Sequence, residues 1–175
     1  IRMRTATINR KTKETDINLT FAVDGTGSAK ADTGIGFFDH MLEGFTKHGS
    51  FDMKLIAAGA LNVDNHHTVE DVGIVLGNAI RQALGDKEGI NRYASFVQPM
   101  DDALVLVAVD LCNRPYLNYK YDFDVERVGY FETETLKEFF YALYALFFNI
   151  SVRLFPLKEN RVCFLSMHNE GFCDS

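Results

Sequence analysis

Two of the five histidines in this chain are adjacent, in the stretch Val63-Asp64-Asn65-His66-His67-Thr68-Val69-Glu70-Asp71, with carboxylates close behind them. Val69, Val72, Val75, Leu76, Ala79, Ile80 and Ala83 recur at three- and four-residue spacing, which predicts a helix over 66–84. Asp64 or Asn65 is placed to cap its start, and Gly85 its end. On such a helix His66 and Glu70 share a face, and Glu70 lies one turn beyond His67. Neighbouring residues point about 100° apart, so the two imidazoles are poorly placed to ligate one ion together. Each is better suited to a separate ion, or to a point where two sites meet. Imidazole nitrogen with carboxylate oxygen, and no thiolate, suits manganese, iron, cobalt or zinc better than calcium or magnesium. The same residues also describe a pair of surface histidines at a helix start, and spacing alone leaves both readings open.

The elements around this helix follow from local patterns. Residues 3–10 and 16–23 read as a hairpin, with Ile17, Leu19, Phe21 and Val23 alternating against polar neighbours. Glu14 falls in its turn, where by itself it is a solvated carboxylate. Gly25, Gly27, Gly34 and Gly36 mark a loop that lacks the lysine of a phosphate loop and the glycine spacing of a dinucleotide fold. Phe38, Met41, Leu42 and Phe45 predict a helix over 37–48. Asp39 and His40 fall in its first turn, either as a cap beside a partly buried histidine or as a carboxylate orienting a ligand.

A strand is expected over 51–57, and others over 94–98, 103–110 and 115–121. The third of these is apolar on both faces and so central in its sheet. Arg92 and Arg114 stand at strand ends, as solvated charges or as a fork for a phosphate. Residues 129–140 are expected to open a further helix with Thr133 as its cap and Leu136, Phe139, Phe140 and Leu143 as its buried stripe. The order hairpin, helix, strand, helix begins again after residue 90, which suggests duplicated halves around one core.

The totals exclude some roles. The chain has 175 residues, 47% hydrophobic and 24% charged, with a net charge of −6 and no basic run. Nucleic acid is therefore not an expected partner. No stretch has the 18 or so apolar residues of a membrane span, and residues 1–4 show no signal-peptide core. Cys112, Cys163 and Cys173 lack metal-type spacing and are expected as reduced thiols in a cytoplasm.

With these motifs placed, the chain resembles the imidazoleglycerol-phosphate dehydratases of histidine biosynthesis. The likeness rests on Thr33-Gly-Ile-Gly-Phe-Phe-Asp-His-Met-Leu42, Asp64-Asn-His-His-Thr-Val-Glu-Asp71, Ala83-Leu-Gly-Asp-Lys87, Pro99-Met-Asp101 and Arg114-Pro-Tyr116. It implies an α+β fold of two duplicated halves, each a four-stranded sheet with two helices on one face. It implies a two-manganese site with His40, His66, His67 and Glu70 as ligands. Catalytic roles fall to Glu14, His67 and Glu70. Glu14, His40, His48, His66 and Glu70 would contact substrate, and Arg92 and Arg114 its phosphate. Manganese would favour the imidazolate form of the substrate ring, which expels the neighbouring hydroxyl, and the family's homo-oligomers share active sites between subunits.

The motifs run out after about Leu143. The family's second His-His-x-x-Glu helix has no counterpart in the sequence, and the one later histidine, His168, lacks the helical context. The chain is therefore expected as one domain, with a first repeat over 1–89, a partial second repeat over 90–146 and a tail over 147–175. The second repeat should lack its last strand and helix, leaving the apolar helix near Phe139 uncovered. A change of reading frame near residues 143–148 would account for the departure. Two functions follow: a manganese-dependent dehydratase, or a catalytically impaired relative that only binds metal or joins an assembly.

Overall fold

A computed structural model describes residues 3–60, 64–100, 103–121, 123–144 and 149–156. The first half opens with the expected hairpin, β1 (Thr5–Lys11) and β2 (Thr15–Ala22). Its alternation buries Ile17, Leu19 and Phe21 almost completely. Strand β4 (Asp52–Gly59) pairs antiparallel with β2, from Thr15 opposite Gly59 to Ala22 opposite Asp52. Strand β3 (Ala29–Asp32) lies parallel to β4, giving the order β1-β2-β4-β3.

The sequence reading left β3 inside a glycine-rich loop. Its Ala-Lys-Ala-Asp sequence has little strand character, and β4 supplies the pairing that makes it a strand. The Asp52 carboxylate accepts the Thr26 and Ser28 N–H groups at 2.8 and 2.9 Å, which fastens the preceding loop to β4. These backbone bonds hold the Asp52 carboxyl below its ordinary range.

Helix α1 (Gly36–His48) and helix α2 (His66–Leu84) lie on one face of this sheet. The bounds of α2 agree with those expected, and Gly85 closes it with φ 57°. Its start divides the capping work between two residues. Asn65 holds the cap position but donates its side-chain amide to the Tyr130 carbonyl, while the Asp64 carboxylate accepts the His66 N–H at 3.0 Å.

The second half repeats the plan. Strands β5 (Tyr93–Met100), β6 (Ala103–Asp110), β7 (Tyr116–Lys120) and β10 (Asn149–Pro156) form a sheet in the order β5-β6-β10-β7. Here β10 is antiparallel to β6 and parallel to β7, as β4 is to β2 and β3. The last strand expected to be missing is thus present, and β6 is central as expected. What the described residues lack is a counterpart of α2 after β10; residues 157–175, most of the expected tail, lie outside them.

Helix α3 (Thr135–Tyr144) begins later than the sequence suggested. Before it stands a small hairpin, β8 (Arg127–Val128) with β9 (Phe131–Glu132), turned at Gly129 with φ 61°. Thr133 does not cap α3 through its side chain: its hydroxyl donates to the Val125 and Glu126 carbonyls.

Nor is α3 uncovered. Phe139 and Phe140 are 4% and 7% exposed, beside α2 and β7. The two halves share one apolar core, tied by Phe38 of α1, whose ring lies 5.8 Å from Phe131 and 5.5 Å from Phe139. Gly73 of α2 packs directly against α3. A Cβ there would stand 2.8 Å from the Phe139 carbonyl oxygen and 2.9 Å from the Ala142 Cβ.

Candidate active site

The start of α2 and the β1–β2 turn meet at the surface. His66 Nε2 lies 3.6 Å from Glu70 Oε2, one helical turn on. His67 faces elsewhere. Its Nε2 is 3.4 Å from Glu14 Oε2 and its Nδ1 is 3.5 Å from Asp64 Oδ1. The two ring centroids are 5.7 Å apart with their planes inclined at 79°, and each ring meets a different carboxylate, as expected of adjacent helical residues. Asp64, read from sequence only as a cap, therefore also flanks His67. Its position three residues earlier on the same face was the available signal.

Metal–ligand bonds to nitrogen and oxygen run at about 2.0–2.2 Å, so one ion can bridge donors roughly 3.0–3.6 Å apart. His66 with Glu70 and His67 with Glu14 each meet this condition, and the donor types suit a borderline transition metal. Each pair is only part of a coordination sphere. The carboxylates flanking His67 face opposite ring nitrogens and cannot converge on one ion. Among the described residues no group of three or more His, Cys, Asp or Glu side chains could hold a metal ion together.

His40 lies exposed in the first turn of α1 and is not brought to the His66–Glu70 pair. Its neighbour Asp39 does not orient it; the Asp39 carboxylate accepts the Thr33 N–H and hydroxyl at 2.9 and 2.7 Å, fixing the helix start. His48 ends α1, exposed, about 12 Å along the axis from His40.

The arginines form a second centre. Arg92 donates to both carboxylate oxygens of Asp110, at 2.8 and 3.3 Å. This bonding, with the Arg114 charge adding to it, holds the Asp110 carboxyl below its usual range. Asp110 had no signal in the sequence, because only the β5–β6 pairing sets it opposite Tyr93, next to Arg92. Beside it an open cleft of about 430 Å³ is lined by Tyr93, Ser95, Ala108, Asp110 and Tyr116. Lys87, just past the end of α2, donates to the Leu111 carbonyl and to Asn113 Oδ1 on the same side.

The two centres lie at opposite ends of one helix. Helix α2 has 19 residues and is about 28 Å long. The histidines stand at its start, and Arg92, Asp110 and Arg114 gather beyond its end. Asp101 lies outside the described residues.

Comparison with known proteins identifies the family. The family model for imidazoleglycerol-phosphate dehydratase matches residues 33–161. That match extends past Leu143, where the sequence motifs run out. The dehydratase of Lachnoclostridium phytofermentans is 58% identical over 158 residues, which is 90% of this chain and 81% of that protein. That of Caldanaerobacter subterraneus is 57% identical over 152 residues, 87% of this chain and 78% of that protein. Among solved structures, the Staphylococcus aureus dehydratase superposes with a TM-score of 0.77 at 32% identity, covering 87% of this chain and 84% of that one. The Pyrococcus furiosus enzyme does so with 0.72 at 36% identity, covering 85% and 80%. By motif order, duplicated sheet topology and these matches, the chain belongs to the imidazoleglycerol-phosphate dehydratase family.

Proposed function

We propose that the chain dehydrates imidazole glycerol phosphate to imidazole acetol phosphate in histidine biosynthesis, in the cytoplasm and with manganese. The observation that carries this reading is the start of α2, where the pair His66–Glu70 and the ring of His67 present two sets of donors of the right type, with the Glu14 carboxylate 3.4 Å from His67 Nε2. A divalent cation held there would stabilise the deprotonated form of an imidazole ring and so make the ring a better electron source. His66 and Glu70 would hold one such ion, and His67 would hold another. Asp64, 3.5 Å from Nδ1 of His67, would orient that ring. Glu14, at the edge of the site, can take the proton from the second carbon of the chain, next to the one whose hydroxyl leaves, giving the enol that tautomerises to the ketone. Arg92 and Arg114 would bind the phosphate and set the chain's direction.

The distance between the two centres supports a site shared by two copies. The substrate's ring, three-carbon chain and phosphate span roughly 9 Å at about 1.5 Å per bond. One molecule cannot reach both ends of α2 in a single chain. If histidines from one subunit meet arginines from another, a homo-oligomer is required. No described helix is long and apolar enough to cross a membrane.

A second reading is favoured by one specific observation: the sequence contains a single His-His pair. On that reading the chain binds metal weakly or joins an assembly, with turnover impaired. Assay of dehydration by the purified chain, with and without added manganese, separates the two. Manganese-dependent product formation at ordinary enzymatic rates, about 1–1000 per second, would exclude the impaired relative. No product at any manganese concentration would exclude the enzyme.

A further inference from the structure

Asp71 follows Glu70 but points the other way, into the protein. It is 8% exposed. Arg10 Nε donates to its Oδ1 at 2.9 Å, and the Thr15 hydroxyl donates to its Oδ2 at 2.5 Å. A carboxylate paired with arginine offers only acceptors, so the direction of the Thr15 hydroxyl is set. Thr15 has one hydroxyl hydrogen, and Asp71 takes it. The contact between the Thr15 and Thr12 oxygens, 2.9 Å long, must then be made by the Thr12 hydrogen. That leaves the lone pairs of Thr12 Oγ1 for the N–H groups of Glu14 and Thr15, which donate to it at 3.1 and 3.0 Å. The chain of donors thus runs from the Glu14 amide through Thr12 and Thr15 to Asp71, with one polarity throughout. On its other side the Glu14 carbonyl accepts the Ala60 N–H at 3.2 Å.

We infer that Asp71 is a positioning residue: through Thr15 and Thr12 it fixes the β1–β2 turn so that the Glu14 side chain meets His67. It touches neither Glu14 nor His67 itself. Its importance for turnover rests on the role proposed for Glu14, but its effect on the turn does not. The geometry couples the buried Asp71 carboxylate of α2 to an exposed carboxylate on another element. Helix and hairpin could pack without such a coupling.

The test uses the chain free of metal and substrate, so its outcome is independent of activity. Thr15→Val removes the hydroxyl at nearly constant shape, and Thr15→Ser restores it. Amide hydrogen exchange at Glu14 and Thr15 should quicken about tenfold in T15V, the loss of roughly one buried hydrogen bond's worth of protection, and return in T15S. The His67 ring resonances should move in T15V in the direction seen in Glu14→Gln, and the T15V/E14Q double variant should show no shift beyond E14Q alone. Unchanged exchange in T15V, or a His67 shift that adds to that of E14Q, would overturn the inference. If T15V does not fold by circular dichroism, Thr12→Val, in the exposed turn, carries the same comparison.

Discussion

Gly73 and Gly44 should respond to the same substitution with opposite sign. Both lie inside helices, where alanine is favoured over glycine by about 1 kcal/mol through helix propensity alone. Around Gly44 in α1 a Cβ would meet nothing within 4 Å, so G44A should realise most of that gain. At Gly73 the new Cβ would lie 2.8 Å from the Phe139 carbonyl oxygen and 2.9 Å from the Ala142 Cβ. The first of these is helix backbone, so relief requires α3 to move away from α2 as a body. Overpacking of this kind costs about 1–3 kcal/mol, which outweighs the propensity gain.

For a chain of this size, 1 kcal/mol corresponds to about 2–4 °C in Tm. G44A should therefore melt about 2–4 °C above the parent, and G73A several degrees below it, by circular dichroism under identical conditions. Adding Ala142→Gly to G73A should recover only part of the loss, because the Phe139 carbonyl stays in place. Melting shifts of the same sign in G44A and G73A would show that the α2–α3 contact is not tight, and with it the account of how the two halves share a core.

Other expectations follow from the same geometry. Manganese at a hundred times its dissociation constant should stabilise the chain by about 2.7 kcal/mol, and His66→Ala, which removes one donor of the His66–Glu70 pair, should abolish most of that shift in a thermal melt. Asp24 is gripped by Arg4, whose Nε lies 3.0 and 3.2 Å from its two oxygens, and that bonding lowers its pKa. A folded pKa below the unfolded value near 3.9 contributes stability above that value and loses it as pH falls through the folded pKa. Urea melts should show Asp24→Asn less stable than the parent by about 1 kcal/mol at pH 7, with the gap closing in acid; a gap that persists below the folded pKa would refute the pairing. Arg92→Ala should raise KM for a phosphate-bearing substrate more than it lowers kcat, if its work is to hold the phosphate.

The sequence by itself determined the local features. The bounds of α2 were legible because an apolar stripe, a polar start and a closing glycine all act within a few residues. Hairpin β1–β2 and the central place of β6 were legible from alternation and from apolar content on both faces. The divergence of His66 and His67 followed from helix geometry alone. Tertiary structure decided what depends on distant partners. Strand β3 exists because β4 pairs with it, and β10 completes the second sheet between β6 and β7 although its sequence carries no family motif. The meeting of Glu14 with His67 required a turn and a helix start to be packed together across some fifty residues of chain. So did the inward placement of Asp71, since periodicity says which face a side chain is on but not what stands opposite. The separation of the histidines from the arginines, one at each end of α2, was beyond the reach of any motif: sequence order gives neighbours along the chain, and only the fold fixes distances through space.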